Sequence, residues 1–403
     1  MSHMDGDLLN RGALRGAASE ADPYATGRSH MSPMQAFVGR WIVSNLMGLT
    51  IGGWLRLLGE TGPSIGPRYW SRAAVISVLS AFNSGAGLVE RLRHGAAFAA
   101  TTPVAPIFIL GHWRSGTTLL HNLMALDPQL AAPNLFETMF PVGFTVTEKW
   151  QAPLWKRFVP ETRLIDNMPL GTDLPQEDEF ALAILTGVSP YMGHSFPRRW
   201  THYMRYLDFS EISERETRRW KRAFVDYAKK LTVYRNNRTL VLKSPPHTAR
   251  IPLILQMFPD ARFIHVHRDP YRVFQSSLHM LTEGLPLAKL QSGDLPDPAE
   301  FVIDRYKRLY DTYLRDRDSI PAGRLVEVRF DDLAGNPVTA IEDVYRRLDL
   351  GGIATFRPAL EAQRTALGSY AQNRYLALPD TVRDRIAREW ARYFDCWGYD
   401  PNA

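Results

Sequence analysis

Cysteine is nearly absent from this sequence of 403 residues, which contains Cys396 and no second cysteine. A single thiol excludes an intramolecular disulfide, and this composition fits a reducing compartment. The sequence also lacks a secretory signal, with its charged start, apolar core and small-residue cleavage site. Together these features predict a cytoplasmic protein.

Long hydrophobic runs are missing as well. Two uncharged apolar stretches, "WIVSNLMGLTIGGWL" (41–55) and "AAVISVLSAFNSGAGLV" (73–89), are candidates for contact with a membrane. Both are shorter than the ~20 apolar residues that a membrane-spanning helix needs, and both contain Gly, Ser and Asn. Two interpretations remain open. In the first, the stretches form buried helices that cover the main domain. In the second, they form a hairpin that either lies on a membrane surface or makes an oligomer contact.

Motifs typical of nucleic-acid binding are absent too. The net charge is +6 and the sequence pI is about 9.3, which favours an anionic ligand without identifying it. However, the sequence has no zinc-finger spacing and no run of five basic residues. We therefore expect no nucleic-acid partner.

What the sequence does contain is an alternation of short apolar strands and helical segments. We expect residues 1–33 to be disordered, 34–104 to form an apolar helical region packed on the main domain, and 105–403 to form the catalytic domain. Within the last region, alternation predicts an α/β fold whose central, mostly parallel sheet is flanked by helices, with ligands at the carboxyl ends of the strands. The predicted strands are 106–110, 239–243, 262–267 and 324–330.

The first predicted strand leads into "ILGHWRSGTTLLH" (109–121), which nearly matches a nucleotide-binding phosphate loop. Such a loop presents backbone N–H groups and a helix N-terminus to an anion. The G-x-x-x-x-G-K-[ST] pattern requires a lysine where this chain has Thr117, and Arg114 stands inside the loop. The strand "RFIHVH" continues into Arg268 rather than an acidic metal ligand. This site suits an anion that lacks a γ-phosphate.

Three segments of the sequence resemble motifs of the sulfotransferases that use 3′-phosphoadenosine 5′-phosphosulfate (PAPS). "FILGHWRSGTTLLH" resembles the family's 5′-phosphosulfate loop, "FIHVHRDPYRVFQSS" its 3′-phosphate motif, and "LVLKSPPH" the strand-end lysine segment between them. With "PQEDEFAL", they are most similar to a bacterial branch of the family. The resemblance covers about residues 105–350 and implies a P-loop-like three-layer fold, with PAPS as donor, 3′,5′-ADP (PAP) as product and no metal.

The resemblance also implies roles for individual residues. It implies that Arg268 and Ser276 bind the 3′-phosphate. It also implies that Lys243 contacts the bridging oxygen of the leaving 5′-phosphate, with Arg114 as a second candidate cation. Arg374 is a candidate to close over the 3′-phosphate, although an exposed arginine is the simpler interpretation. The residues expected to cradle the 5′-phosphate are Ser115, Gly116, Thr117 and Thr118.

The general base is left open between three candidates. His247 lies four residues after Lys243, whereas the cytosolic branch places a histidine two residues after its lysine. Glu137 is the rival, because other branches place a glutamate soon after the first helix. The third candidate is the cluster 177–179 in "DLPQEDEFAL", whose simpler interpretation is a helix start capped by Asp173 with Pro175 in its first turn.

The sequence thus predicts a sulfotransferase that moves a sulfuryl group from PAPS to a hydroxyl acceptor by in-line displacement. The acceptor is a hydrophobic or lipid-like alcohol, or a carbohydrate that stacks on the same aromatic residues. Two alternatives stand beside it: an altered P-loop kinase or NTPase, and a membrane-associated nucleotide-binding protein without activity. Peripheral membrane association and a homo-oligomer are left open.

Overall fold

In the computed structural model, the apolar residues Ile107–Leu110 form β1, the central strand of a parallel sheet. The structure describes residues 44–61, 65–160, 168–284, 289–293, 297–367 and 377–402. The predicted disordered segment 1–33 and Arg374 lie outside these residues.

The sheet of the described residues has five strands in the order β2-β3-β1-β4-β5, and every pair is parallel. This confirms the predicted α/β fold, and the four predicted strands lie within one residue of the observed ends. β2 was not predicted, because two residues are too short to show a periodic pattern. The other strands are β2 Leu130–Ala131, β3 Thr239–Lys243, β4 Arg262–His267 and β5 Leu325–Arg329.

Alternate residues of the strands point into two separate cores. Phe108 and Leu110 of β1 belong to the larger core, whereas Ile107 and Ile109 belong to the smaller one on the opposite face. Because side chains alternate along a strand, a strand covered on both faces is apolar throughout. This is why "IFIL" reads as a continuous apolar run.

Helices cover both faces of the sheet. In the described residues before β1 the helices are α1 Ile51–Thr61 and α2 Trp70–Ala100. Those between β1 and β3 are α3 Thr117–Met124, α4 Leu135–Met139, α5 Phe144–Lys156, α6 Asp178–Thr186, α7 Met192–Ser195, α8 Trp200–Met204 and α9 Glu214–Tyr234. Those after β3 are α10 Ile251–Met257, α11 Pro270–Gly284, α12 Pro298–Asp316, α13 Phe330–Gly335, α14 Pro337–Arg347, α15 Ile353–Leu367, α16 Asp380–Glu389 and α17 Ala391–Trp397.

The start of α6 corrects the interpretation that Asp173 caps a helix with Pro175 in its first turn. The helix begins at Asp178, and Glu177 occupies the N-cap position. The preceding backbone is extended, because Pro175 forms an antiparallel bridge with Asn134, and the Gln176 N–H donates to the Pro133 carbonyl at 2.8 Å. The prediction failed because a strand-like contact from a distant segment outweighs the local capping preference.

Helix α2 buries several polar and charged side chains and exposes large apolar ones to solvent. The residues that it buries include Arg72, Asn83 and Glu90, and Asn83 donates to the carbonyls of Met47 and Leu49 at 2.8 and 3.0 Å. Its solvent-facing side carries large apolar residues: Trp70, Val78, Phe82, Leu88, Val89 and Leu92. By length and composition, 67–100 is the one candidate membrane span that the described residues contain. The helix is longer than the uncharged stretch 73–89 because it continues past Glu90.

Candidate functional site

The phosphate loop follows β1 and needs glycine at two positions. Gly111 and Gly116 have φ values of 142° and 101°, which L side chains rarely adopt. A Cβ on Gly111 would lie 2.5 Å from the Val266 carbonyl oxygen, and one on Gly116 would lie 2.1 Å from the Phe330 ring. The Gly111 N–H donates to Thr248 Oγ1 at 2.7 Å, which fixes the loop against the segment after β3. The loop then enters α3 at Thr117.

One predicted phosphate donor is engaged within the loop itself. The Ser115 N–H donates to the His112 carbonyl at 3.1 Å, which closes the turn. The Ser115 side chain is fully buried, and its Oγ has no hydrogen-bond partner among the described residues. The Ser115 amide is thus engaged within the turn, whereas its hydroxyl is not.

Three of the predicted nucleotide-binding residues meet beside the loop. Arg114 adopts a left-handed backbone conformation (φ 70°) and donates from Nε to Ser276 Oγ at 2.8 Å. Arg268, just beyond β4, donates from Nη1 to the Arg114 carbonyl at 3.3 Å. Its guanidinium also packs over the Phe330 ring, with Cζ 4.1 Å from the centroid. The structure therefore brings Arg114 to the residues expected at the 3′-phosphate.

Lys243 ends β3 directly beside β1, where its Cα pairs with that of Ile109. The residue is 1% exposed. Its ammonium group contacts Glu177 Oε1 at 2.7 Å and Thr118 Oγ1 at 3.4 Å. Because β1, β3 and β4 are neighbours, their carboxyl ends bring the loop, Lys243 and Arg268 to one edge of the sheet.

Three consecutive acidic residues at the start of α6 pair with three basic residues at and after the end of β3. Each acid takes a different partner, so the two segments match residue by residue. The pairs are Glu177 with Lys243 at 2.7 Å, Asp178 with His247 at 2.5 Å, and Glu179 with Arg250 at 2.7 Å.

Glu177 is the acid that reaches the loop side of this arrangement. The Tyr191 hydroxyl donates to its Oε2, and Trp113 Nε1 donates to the Tyr191 oxygen at 3.1 Å. Burial, followed by the charge of Glu177, raises the pKa of Tyr191 well above its ordinary value, so the phenol keeps its proton. A continuous chain of hydrogen bonds thus joins Lys243, Glu177, Tyr191 and the loop residue Trp113.

His247 lies in a closed, fully buried pair. Its Nε2 contacts Asp178 Oδ2, and its ring stacks on Phe224 with centroids 5.2 Å apart and planes inclined by 17°. Phe108 of β1 packs against the same ring. Burial alone would raise the pKa of Asp178, but the His247 ring holds that pKa below its ordinary value. The contacts of His247 are therefore with the larger core, and its hydrogen-bond partner is Asp178 rather than Lys243.

Glu137 occupies a helix start. It forms a reciprocal capping box with Asn134 at the beginning of α4, and its Oε2 pairs with Arg235 at 2.8 Å. Burial raises the pKa of Glu137 in spite of Arg235. Its Oε1 is buried without a hydrogen-bond partner among the described residues. The structure joins Lys243 to Glu177 and leaves Glu137 in this separate pair.

The fold and this site define a member of the sulfotransferase family. A family model described as the sulfotransferase family matches residues 106–352, which is more than half of the chain. The chain therefore belongs to this family and is a sulfuryl-transferring enzyme, as the phosphate loop, Lys243 and Arg268 motifs predicted. Family membership does not favour an altered P-loop kinase or an inactive nucleotide-binding protein.

The chain is also similar to individual sulfotransferases in sequence and in structure. The chain is 34% identical over 363 residues to the omega-hydroxy-beta-dihydromenaquinone-9 sulfotransferase Stf3 of Mycobacterium bovis and of Mycobacterium tuberculosis, covering 89% of this chain and 92% of theirs. Among solved structures, sulfotransferase STF9 from Mycobacterium avium has a TM-score of 0.61 at 19% identity, covering 91% of this chain and 95% of that chain. STF1 from Mycobacterium tuberculosis has a TM-score of 0.54 at 17% identity, covering 84% and 91%. These structures share the fold.

Proposed function

We propose that the enzyme transfers the sulfuryl group of PAPS to the hydroxyl of a long, hydrophobic, membrane-resident alcohol. The observation that carries this proposal is the buried group of Lys243, Glu177 and Tyr191 beside a phosphate loop without a lysine at position 117. It combines a cation for the leaving oxygen with a carboxylate for the acceptor proton, and it invokes no metal ion.

The donor site is proposed from the loop and its neighbours. The partnerless Ser115 hydroxyl and the N-terminus of α3 suit the 5′-phosphate, with Thr117 and Thr118 as further donors. Arg268 and Ser276 suit the 3′-phosphate, since a guanidinium and a hydroxyl match its oxygens. Arg114, already on Ser276, joins this pair and leaves the bridging oxygen to Lys243.

In the proposed reaction the acceptor oxygen attacks sulfur in line with the departing oxygen. The new oxygen–sulfur bond forms as the bond to the 5′-phosphate breaks, and the acceptor proton passes to Glu177. The negative charge that develops on 3′,5′-ADP faces Lys243. Each Glu177 oxygen in contact with Lys243 or Tyr191 retains a second lone pair for the acceptor hydroxyl.

For the acceptor, we propose an alcohol at the end of an isoprenoid-like chain. The 34% identical relatives are named for a hydroxylated dihydromenaquinone. Every large hydrophobic side chain that is exposed in the described residues lies between Ile51 and Leu154, and most are on α1, α2 and α5. An apolar surface of this kind suits an enzyme whose acceptor resides in a membrane better than one whose acceptor is a free sugar.

A nucleotide comparison tests the donor. We expect 3′,5′-ADP to raise the melting temperature strongly, because a ligand at a hundredfold excess over its Kd adds about 2.7 kcal/mol to the free energy of unfolding. We expect 5′-AMP to raise the melting temperature much less. Arg268→Ala should reduce the affinity for 3′,5′-ADP to near that for 5′-AMP. Turnover is then measured with labelled PAPS and an isoprenoid alcohol, against the same isoprenoid without its hydroxyl. Stabilisation by Mg·ATP without any by 3′,5′-ADP would refute the proposal.

We further propose that the N-terminal helical region, which precedes the catalytic region 105–403, holds the enzyme on an anionic bilayer. The apolar face of α2 continues onto α5, where Trp150 meets Phe82 with ring centroids 5.9 Å apart. Exposed basic residues lie at the same surface: Arg91, Arg93, Lys149, Lys156 and Arg157. Apolar and aromatic residues bordered by lysine and arginine suit the interface of an anionic membrane.

The double variant Val78→Asp/Leu92→Asp tests this membrane surface. These side chains are 72% and 78% exposed, so the fold should be unaffected. We expect at least about a tenfold loss of binding to vesicles of phosphatidylcholine with about one third phosphatidylglycerol, since each apolar side chain contributes about 1.5–3 kcal/mol on burial. The control, Thr381→Asp/Ala391→Asp, adds the same charge to α16 and α17. Equal flotation of both variants, or a wild-type dimer that the double variant abolishes, would contradict membrane docking.

A further inference from the structure

Arg305 of α12 is a buried cation beside the phosphate loop. The residue is 4% exposed. Its Cζ lies 4.3 Å from the centroid of the Trp113 ring and 5.0 Å from that of Phe301. Aromatic rings therefore cover the guanidinium, while its N–H groups point outward in the plane of the group.

Two nitrogens of this guanidinium have no hydrogen-bond partner in the part of the chain that the structure describes. Nε and Nη2 of Arg305 are buried without a hydrogen-bond partner, and the residue forms no ion pair among the described residues. Cation–π contacts contribute about 2 kcal/mol when desolvated, whereas burying an ion costs several kcal/mol. Burial lowers the pKa of Arg305 to about 9, so the group remains charged at neutral pH.

Tyr191, which keeps its proton, and the histidines His194 and His112 supply Arg305 with no compensating negative charge. Burial, together with Arg305, lowers the pKa of His194 to about 4 and that of His112 well below its ordinary value, so both rings are neutral. The carbonyl of Trp113 contacts His112 Nδ1 at 2.7 Å. Trp200 Nε1, whose ring packs on Phe301 with centroids 4.9 Å apart, is a further buried donor without a partner. The surroundings thus combine apolar rings, neutral imidazoles and unsatisfied donors.

Trp113 links this arginine to the proposed catalytic residues. One face of its ring is covered by Arg305, and its Nε1 begins the hydrogen-bond chain through Tyr191 to Glu177 and Lys243. Trp113 and Tyr191 therefore connect Arg305 to Glu177 and Lys243, the residues proposed to perform the transfer. It is a different group from Arg114 and Arg268, which lie together at the proposed 3′-phosphate site.

We propose that Arg305 forms a buried oxyanion-binding site on the acceptor side of the enzyme. Nε and Nη2 carry parallel N–H bonds along one edge of the guanidinium, and this edge binds two oxygens of one sulfate or carboxylate group. The oxyanion is the sulfate being transferred, held as the product ester, or a carboxylate on the acceptor. The inference deepens the proposed function and rests on it.

Binding of hexyl sulfate to enzyme saturated with 3′,5′-ADP tests the site by calorimetry, with hexanol as the uncharged counterpart. We expect Arg305→Gln and Arg305→Met to weaken hexyl sulfate binding at least about tenfold, since each removes the charged bidentate edge. Arg305→Lys should lie between them and the wild type. Arg315→Gln, an exposed arginine of the same helix, should bind normally, and 3′,5′-ADP affinity should change less than about twofold in every variant.

Turnover distinguishes the two sources of the oxyanion. If the sulfate being transferred occupies the site, Arg305→Gln lowers kcat for every alcohol. If the acceptor supplies a carboxylate, the loss is a rise in KM confined to ω-hydroxy acids, and alkanols of the same length are unaffected. Hexyl sulfate binding that is unchanged in both Arg305→Gln and Arg305→Lys would overturn the inference. Failure of the wild type to bind 3′,5′-ADP would instead refute the proposed function.

Discussion

Replacing Lys243 by methionine is expected to lower kcat by about 10²–10³-fold while changing the affinity for 3′,5′-ADP by less than about threefold. The reason is that the lysine opposes charge that appears on the bridging oxygen only as the sulfur–oxygen bond breaks. Methionine retains most of the buried side-chain volume at this 1% exposed position. Single-turnover rates with labelled PAPS give the first quantity, and calorimetric titration with 3′,5′-ADP gives the second.

Two further variants make this result interpretable. Lys243→Arg should recover part of the rate, since a cation returns to the site in a different shape. Lys307→Met removes an unrelated lysine that pairs with Glu389 and should turn over normally. A Lys243→Met enzyme with a normal kcat and a large loss of nucleotide affinity would show that the lysine binds the donor without acting on the leaving oxygen.

Glu177→Gln is expected to lower kcat by about 10²–10⁴-fold, the usual effect of losing a positioned general base. Glutamine preserves the size of the side chain and can still accept the Tyr191 hydroxyl, but it cannot take a proton from the acceptor. The pH–rate profile should therefore lose the limb along which the rate of the wild type rises with pH. Glu177→Asp should keep that limb at a reduced kcat, because a carboxylate remains.

The two rival bases provide the contrast. Glu137→Gln and His247→Phe are expected to lower the melting temperature, because each removes a member of a buried pair, with Arg235 and Asp178 respectively. In both variants the rising limb of the pH–rate profile should persist. If Glu177→Gln retains the limb and Glu137→Gln loses it, the base is Glu137 and Glu177 only positions Lys243.

The fold was largely predictable because its elements have local signatures. The strand β1 is continuously apolar. Helix α9 starts with the S-x-x-E pattern, in which Ser213 at the N-cap and Glu216 in the first turn form a capping box. The short strand β2 and the start of α6 at Asp178 were not predictable, since both depend on pairing with distant segments. The pairing of the acidic segment 177–179 was not predictable either, because three consecutive acids meet Lys243, His247 and Arg250, which lie four and three residues apart in sequence.

The sequence by itself determined that this chain has a phosphate loop without its lysine, a strand-end lysine and a third strand leading to Arg268. These motifs depend on residue identity and spacing along the chain, and they indicated the family. Only the tertiary structure decided which carboxylate meets Lys243, because Glu177 lies 66 residues away in sequence and its neighbour Asp178 points to a different partner. The same holds for Arg305, which the sequence shows only as one more basic residue in an amphipathic helix. That it meets no anionic partner among the described residues depends on all the side chains that pack around it.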